Sequence, residues 1–459
     1  MSLNSLARIL LPASLYHRLE TSPIAKRLAR GSLWSLFGSA SSRILMLVAM
    51  ILVARVLGQV SFGEFGLIQA TLGVVGLMAG LGLGGTATRF VAQYAVVDHA
   101  RAGRVIALVT SASMGTVFFA AVALIMTSGL IARTVLEAPH LQATLVWGVL
   151  LMAATAFRGI QNGVLAGLEK FDLIARLNIL DGVVSLMCMV LLAHFMGVEG
   201  ALLGLALGAI LAWLVGRNLL MSELRTLGIT VCYEGCWADW RILTSYSLPS
   251  LLSNLVATPV LWFCMMMVAR NPNGYAELGV YNAAYQWHGP MVFIPMIFMS
   301  VSIPVLVQEW EAGRRERFLR VTFGICGLML LISLPPVVLA SFLSSWIMTL
   351  YGPGFSEGKM VLVLLLAAAP LHALSKITFG ALFAMNRPRW VLGVNVVWGV
   401  TLLALTISLV PKLGVMGLAI GFFVAYAILG CSSVILVFFG SRVSPSNNAS
   451  ITKSFARKI

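Results

Sequence analysis

Residues 171–221 read FDLIARLNILDGVVSLMCMVLLAHFMGVEGALLGLALGAILAWLVGRNLLM. No charged side chain falls between Asp181 and Glu199, and none between Glu199 and Arg217. A helix needs about 20 mostly apolar residues to cross the hydrocarbon layer. Two such runs joined by the short turn 196–199 read as a membrane helical hairpin. Lipid admits only helices or closed barrels, and these runs are too long for barrel strands.

The rest of the 459-residue chain has the same character. It is 59% hydrophobic and only 10% charged, with mean hydropathy +0.96. A soluble domain carries about a quarter charged residues, and a disordered chain carries far less apolar surface. Apolar runs and their breakers place spans near 33–54, 64–88, 105–128, 142–164, 176–195, 200–221, 246–268, 279–307, 321–348, 360–383, 391–410 and 415–438. The expected fold is all-α: a polytopic membrane protein of about twelve transmembrane helices in two six-helix repeats.

Charge orients this map. The net charge is +15, which in a soluble protein would suggest nucleic acid. Here Lys and Arg collect in loops on one side: Arg101 and Arg104, Lys170 and Arg176, Arg225 and Arg241, Arg314 to Arg320, Arg387 and Arg389. Both tails are basic as well. The opposite side holds Arg55, Arg133, Arg270, Lys359 and Lys412. The positive-inside rule then puts both termini in the cytoplasm. The excess charge reads as topology, and no nucleic-acid partner is expected.

The expected organisation is a cytoplasmic segment 1–30, a six-helix half 31–221, a cytoplasmic linker 222–245, a second half 246–438 and a basic tail 439–459. Residues 3–20 form either an amphipathic helix on the membrane surface or a frayed basic tail. They do not read as a cleavable signal, because the apolar run is interrupted by Pro12. Cys232 and Cys236 fall in the linker without the further ligands a zinc site needs, so reduced thiols are expected.

The halves repeat. Shifted by 217, residues 163–204 meet 380–421 without a gap. Gly163, Leu165, Asn178, Gly182, Val183, Leu186, Leu192, Gly197, Val198, Gly200 and Gly204 all find identical partners. A shift of 215 aligns Ser32, Leu33, Ser35, Leu36, Met50, Val53, Ala54 and Arg55 with 247–270. Six spans per half is an even number, so the repeats run parallel. Transporters commonly have such halves.

No phosphate-binding loop, zinc-protease helix or nucleophile elbow survives placement on this map. An enzyme is not expected, and neither a cofactor nor a metal is implied. Ionisable residues inside the spans are costly and thus the best functional candidates. Arg43 lies about 15 Å into the first span by helical rise. Lys376 lies in the tenth span, near enough to its cytoplasmic end that snorkelling is the competing explanation. Arg158 and Asp181 stand at similar distances either side of the turn near Lys170, so an ion pair is expected that either tunes transport or only joins two helices. By the repeat, Arg158 corresponds to Ser375 and Asp181 to Trp398, leaving Lys376 without an equivalent acid.

Tyr281, Gln286, Trp287 and His288 form an aromatic group that suits either sugar stacking or internal packing. Asn162, Gln161, Asn178 and Asn395 suit bonds between helices. His194 and His372 are titratable. The glycines Gly73, Gly76, Gly80, Gly82, Gly84 and Gly85 favour close helix approach. Three embedded cations against one clear embedded acid favour an anionic substrate such as phosphate, pyrophosphate or acidic sugar.

The stretch 31–94 contains Ala54-Arg55-x-Leu57-Gly58, Phe62-Gly63-x-Phe65-Gly66, Gly80-x-Gly82 and Arg89-Phe90. It resembles the start of the polysaccharide transporter family, the O-antigen and exopolysaccharide flippases. That family belongs to a superfamily with multidrug and toxin extrusion proteins and lipid II flippases. The resemblance implies an inner-membrane, alternating-access flippase for undecaprenyl-pyrophosphate-linked oligosaccharide. Its partners would be membrane lipids and other glycan assembly proteins. It also implies basic cavity residues, for which Arg43, Arg158 and Lys376 are the candidates, with Tyr281 and Gln286 facing sugar and Asp181 coupling or gating. The alternative is an ion-coupled multidrug-type exporter, which needs an acid in its cavity. A membrane-embedded glycan polymerase is a third reading, weakened by the short outer loops.

Overall fold

The computed structural model describes residues 23–247 and 256–442. The expected surface helix 3–20, the start of the seventh span and most of the basic tail lie outside these residues. The chain divides into two compact units between Thr258 and Pro259. Among the described residues the structure is helical and holds no strand.

In the first unit, α1 (Pro23–Gly80) carries one non-helical residue, Gly58, at φ 76° and ψ 176°. α2 (Leu83–Tyr94), α3 (His99–Leu130) and α4 (Gln142–Gly167) follow. α5 (Phe171–Thr226) is divided at Gly197. The later helices are α6 (Ala257–Ala269), α7 (Gly274–Glu311), α8 (Arg315–Phe342), the short α9 (Ser344–Thr349), α10 (Lys359–Ala384), α11 (Pro388–Leu413) and α12 (Val415–Arg442). With α1 and α5 each counted as two spans, the described residues contain helix at all twelve expected positions.

Two boundaries differ from expectation. Spans one and two are not separated by a loop over 55–63, because a single residue, Gly58, makes the turn. The second span is not continuous over 64–88. It breaks where Leu81 and Gly82 adopt left-handed conformations, at φ 42° and 65°. Glycine takes that conformation without strain, whereas a leucine rarely does.

The repeat is visible in backbone geometry. Gly197 sits at φ 60°, ψ −133°, and its partner Gly414 at φ 54°, ψ −135°. A Cβ on Gly200 would strike the carbonyl of Leu192, and one on the equivalent Gly417 would strike that of Leu409. Glycine is required at these positions by conformation and by close backbone approach. Lipid gives helices no hydrophobic reason to associate, so small residues that let backbones meet do that work. In the first unit Gly84 and Gly163 hold α2 against α4 in this way. Around them lies a buried core including Leu83, Val91, Val105, Val109, Val164 and Leu165.

Candidate functional site

The hairpin of α4 and the first half of α5 brings Arg158 and Asp181 to one level. Arg158 Nη1 donates to Asp181 Oδ2 at 2.6 Å, and Nη2 donates to Asn178 Oδ1 at 3.1 Å. Ser185 Oγ donates to the other carboxylate oxygen at 3.3 Å. Both charged side chains are only 14% exposed. Asp181 is about 15 Å along α5 by helical rise. Removing one partner of a pair this well enclosed costs about 3–5 kcal/mol, because the other charge is left uncompensated.

The pair lines a cleft of about 760 Å³, within the size range of ligand sites. The cleft lies wholly in the first unit. Its wall includes Gly73, Gly76, Gly80, Gly82, Gly84, Gly85 and Gly159, with Met46, Thr155, Leu205 and Ala209. Glycines expected only to bring helices together therefore have two uses. A Cβ on Gly84 would come within 2.7 Å of the Gly159 carbonyl, but Cβ atoms on Gly80, Gly85 and Gly159 would meet nothing within 4 Å. The latter three keep the cleft open.

The break at Leu81 and Gly82 opens onto the same cleft. It gives α2 an N-terminus there, and an α-helix leaves its first N–H groups without intrahelical acceptors. Those dipoles favour anions. The unbroken second span expected from the apolar run 64–88 would have no such N-terminus. The available signal was Gly80-Leu81-Gly82 inside an otherwise regular apolar run.

In the second unit the repeat-equivalent positions hold larger side chains. Gly73 corresponds to His288, Thr155 to His372, Gly159 to Lys376, Asp181 to Trp398, Leu205 to Phe422 and Ala209 to Tyr426. The rings among them pack together. The rings of Phe422 and Tyr426 lie 4.8 Å apart, those of His372 and Tyr426 4.5 Å apart, and those of His288 and Phe422 5.3 Å apart. The two units thus put a cleft and a packed aromatic cluster at equivalent positions. Among the described residues Asn395, the partner of Asn178, bonds only to the Val391 carbonyl of its own helix, at 2.9 Å, since Ser375 replaces the arginine.

The remaining candidates fall as follows. Arg43 is exposed on α1, one turn before Met46 of the cleft wall. Lys376 is part-buried on α10, one turn beyond His372. Tyr281 is 2% exposed and stacks on Tyr285 with centroids 5.7 Å apart. Tyr285 is the more exposed of the two rings, and Gln286 beside it is part-buried. Trp287 Nε1 donates to the Tyr351 hydroxyl at 3.1 Å. Burial pushes the Tyr351 phenol up from its ordinary range, and the bond from Trp287 offsets part of that rise.

A twelve-span helical bundle with a mid-depth cleft that holds an ion pair is a membrane-transporter architecture. The solved lipid II flippase MurJ, in an inward closed conformation, superposes with TM-score 0.72 at 15% identity, covering 90% of this chain and 88% of that one. Residues 28–310 match the family described as polysaccharide biosynthesis protein, and the chain belongs to it. Among curated relatives, the EPS I polysaccharide export inner membrane protein EpsE of Ralstonia solanacearum is 24% identical over 323 residues, which is 69% of this chain and 72% of that protein. A putative O-antigen transporter of Shigella flexneri is 22% identical over 400 residues, 85% of this chain and 93% of that one.

Proposed function

We propose that this protein is an inner-membrane flippase with both termini in the cytoplasm. It moves an undecaprenyl-pyrophosphate-linked oligosaccharide between leaflets by alternating access, for surface polysaccharide synthesis. The observation that carries the reading is the cleft itself: a glycine-widened space deep in an apolar bundle, offering the Arg158 guanidinium and the N-terminus of α2 to an anion. Phosphate oxygens accept from both kinds of donor. The prenyl tail stays in lipid while the headgroup crosses the cleft.

In this scheme Arg158 binds the pyrophosphate or an acidic sugar, and Asp181 competes for the same guanidinium and gates its release. Arg43 and Lys376 are additional contacts for negative charge. Tyr285, the exposed ring beside buried Tyr281, and Gln286 next to it are the contacts for sugar. The family membership, the polysaccharide-export names of the relatives and the fold shared with a lipid II flippase support this reading.

The test is reconstitution into liposomes with a lipid-linked oligosaccharide. Transfer between leaflets is expected from the native protein. Arg43→Ala and Lys376→Ala are each expected to abolish surface glycan in cells while the protein stays in the membrane. Full export by both variants would discard those two assignments. The second reading, an ion-coupled exporter of small molecules, rests on Asp181 as the acid in the cleft. It predicts drug efflux that Asp181→Asn removes, together with no transfer of the lipid-linked glycan.

A further inference from the structure

The second unit packs two imidazoles against each other in the middle of its helices. His288 on α7 and His372 on α10 each lie about 20 Å along their helix by helical rise. Their rings are near-parallel, with centroids 5.4 Å apart and planes at 15°. His288 Nδ1 is 2.9 Å from the Leu365 carbonyl oxygen. A carbonyl only accepts, so Nδ1 carries the proton. His288 Nε2 is 3.1 Å from His372 Nδ1. With both rings neutral, His288 Nε2 is the acceptor and His372 Nδ1 the donor. One basic lone pair is then left, on His372 Nε2, which has no hydrogen-bond partner among the described residues. His372 is only part-buried.

We propose that His288 and His372 form a binding site for a single proton, whose occupancy is linked to the packing of the second unit. The proton comes from water to His372 Nε2 and makes that ring an imidazolium. The His372 Nδ1 proton then shifts along the 3.1 Å contact to His288 Nε2. His288 becomes the imidazolium, and His372 is left neutral with its proton on Nε2. The relay ends there, because the Leu365 carbonyl has no proton to pass on. The pair therefore stores a proton rather than conducting it. A second proton would set two imidazolium rings against each other across the same contact, so the capacity is one.

The groups around the pair explain the link to packing. α7 contributes Tyr281 and Tyr285, α12 contributes Phe422 and Tyr426, and α11 contributes Trp398. α10 contributes Lys376, one turn from His372. No carboxylate among the described residues forms an ion pair with either imidazole. A stored proton thus adds positive charge beside the Lys376 ammonium with no acid to offset it, and the ammonium and α10 must give way. Trp398 is poised to report this. Its buried Nε1–H has no acceptor among the described residues, and its ring lies 5.5 Å from that of Tyr426. The inference does not depend on what the protein transports.

The test uses the full-length protein with nitrogen-15 histidine in lipid nanodiscs. At mildly alkaline pH, His288 and His372, identified by their loss in His288→Gln and His372→Gln, should both show the Nδ1–H neutral tautomer, which is the minor form in water. On acidification both rings should shift in one common step, with uptake of one proton by the pair. Nε2–H tautomers in the alkaline form, two independent titrations, or no titration down to the acid limit of the fold would overturn the site. Trp398 emission, isolated by subtracting Trp398→Phe, should change over the same pH range and lose that change in His372→Gln. Constant Trp398 emission through the titration would sever proton binding from packing. If a glutamine variant fails to fold, the two rings are identified in the wild-type protein by their mutual ring-to-ring correlation across the 3.1 Å contact.

Discussion

The first and second units use one scaffold for opposite ends. At equivalent places the first has Gly73, Gly159, Asp181 and Ala209, and the second has His288, Lys376, Trp398 and Tyr426. Small residues around one ion pair leave a cleft of about 760 Å³. Large rings at the same places close on themselves, with Trp398 only 2% exposed. The backbone turns at Gly197 and Gly414 meanwhile agree to within a few degrees. In a duplicated helical bundle, then, the turns preserve the frame while side-chain volume decides whether a given place is a cleft or a core.

Breaking the comparison at its most charged point should have the largest effect. Arg158→Ala leaves Asp181 uncompensated and should cost about 3–5 kcal/mol of stability, together with all transport. The double variant Arg158→Ala/Asp181→Ala should recover most of the stability, read by thermal melting in detergent, and none of the transport. Recovery of both would reduce the pair to a helix clamp.

A smaller change makes the first unit resemble the second. Gly159→Leu adds volume where a Cβ meets nothing within 4 Å, and leucine is the better helix former by about 0.5–1 kcal/mol. Melting should be unchanged or slightly raised, while glycan transfer in liposomes falls at least tenfold. Undiminished transfer would show that the cleft is not on the path.

The smallest effect sharpens the shared frame. Gly197→Ala and Gly414→Ala each force a side chain into a left-handed conformation, at about 1–3 kcal/mol. Gly414→Ala should melt lower, because its Cβ would also meet the Glu277 carboxylate, which accepts from the Val415 N–H at 2.8 Å. At Gly197 nothing lies within 4 Å. Equal melting temperatures would mean that backbone strain alone governs both turns.

The spans were legible because hydrocarbon thickness imposes a run length that composition reveals directly. The level of Arg158 and Asp181 was legible too, since counting residues from the turn at Lys170 fixes depth in an antiparallel hairpin. The cleft was not. Its walls are glycines, and a glycine that lets helices touch, such as Gly84, has the same letter as one that holds space open, such as Gly159. The pairing of His288 with His372 was equally hidden. The two lie in different spans, and only packing shows that one imidazole accepts from the other. Arg43 and Lys376 stood out by charge, but a sequence places a charge at a depth and not on a face.

The interruption at Leu81 and Gly82 has a consequence of its own. A backbone cut in mid-span exposes peptide groups that oil cannot solvate. Side chains meet part of that demand: Thr116 Oγ1 donates to the Ala79 carbonyl at 2.7 Å, and Thr86 Oγ1 donates to the Gly82 carbonyl at 3.3 Å. The break is thus held by neighbouring helices, and a substitution at Thr116 would unsettle α2 without touching the cleft wall.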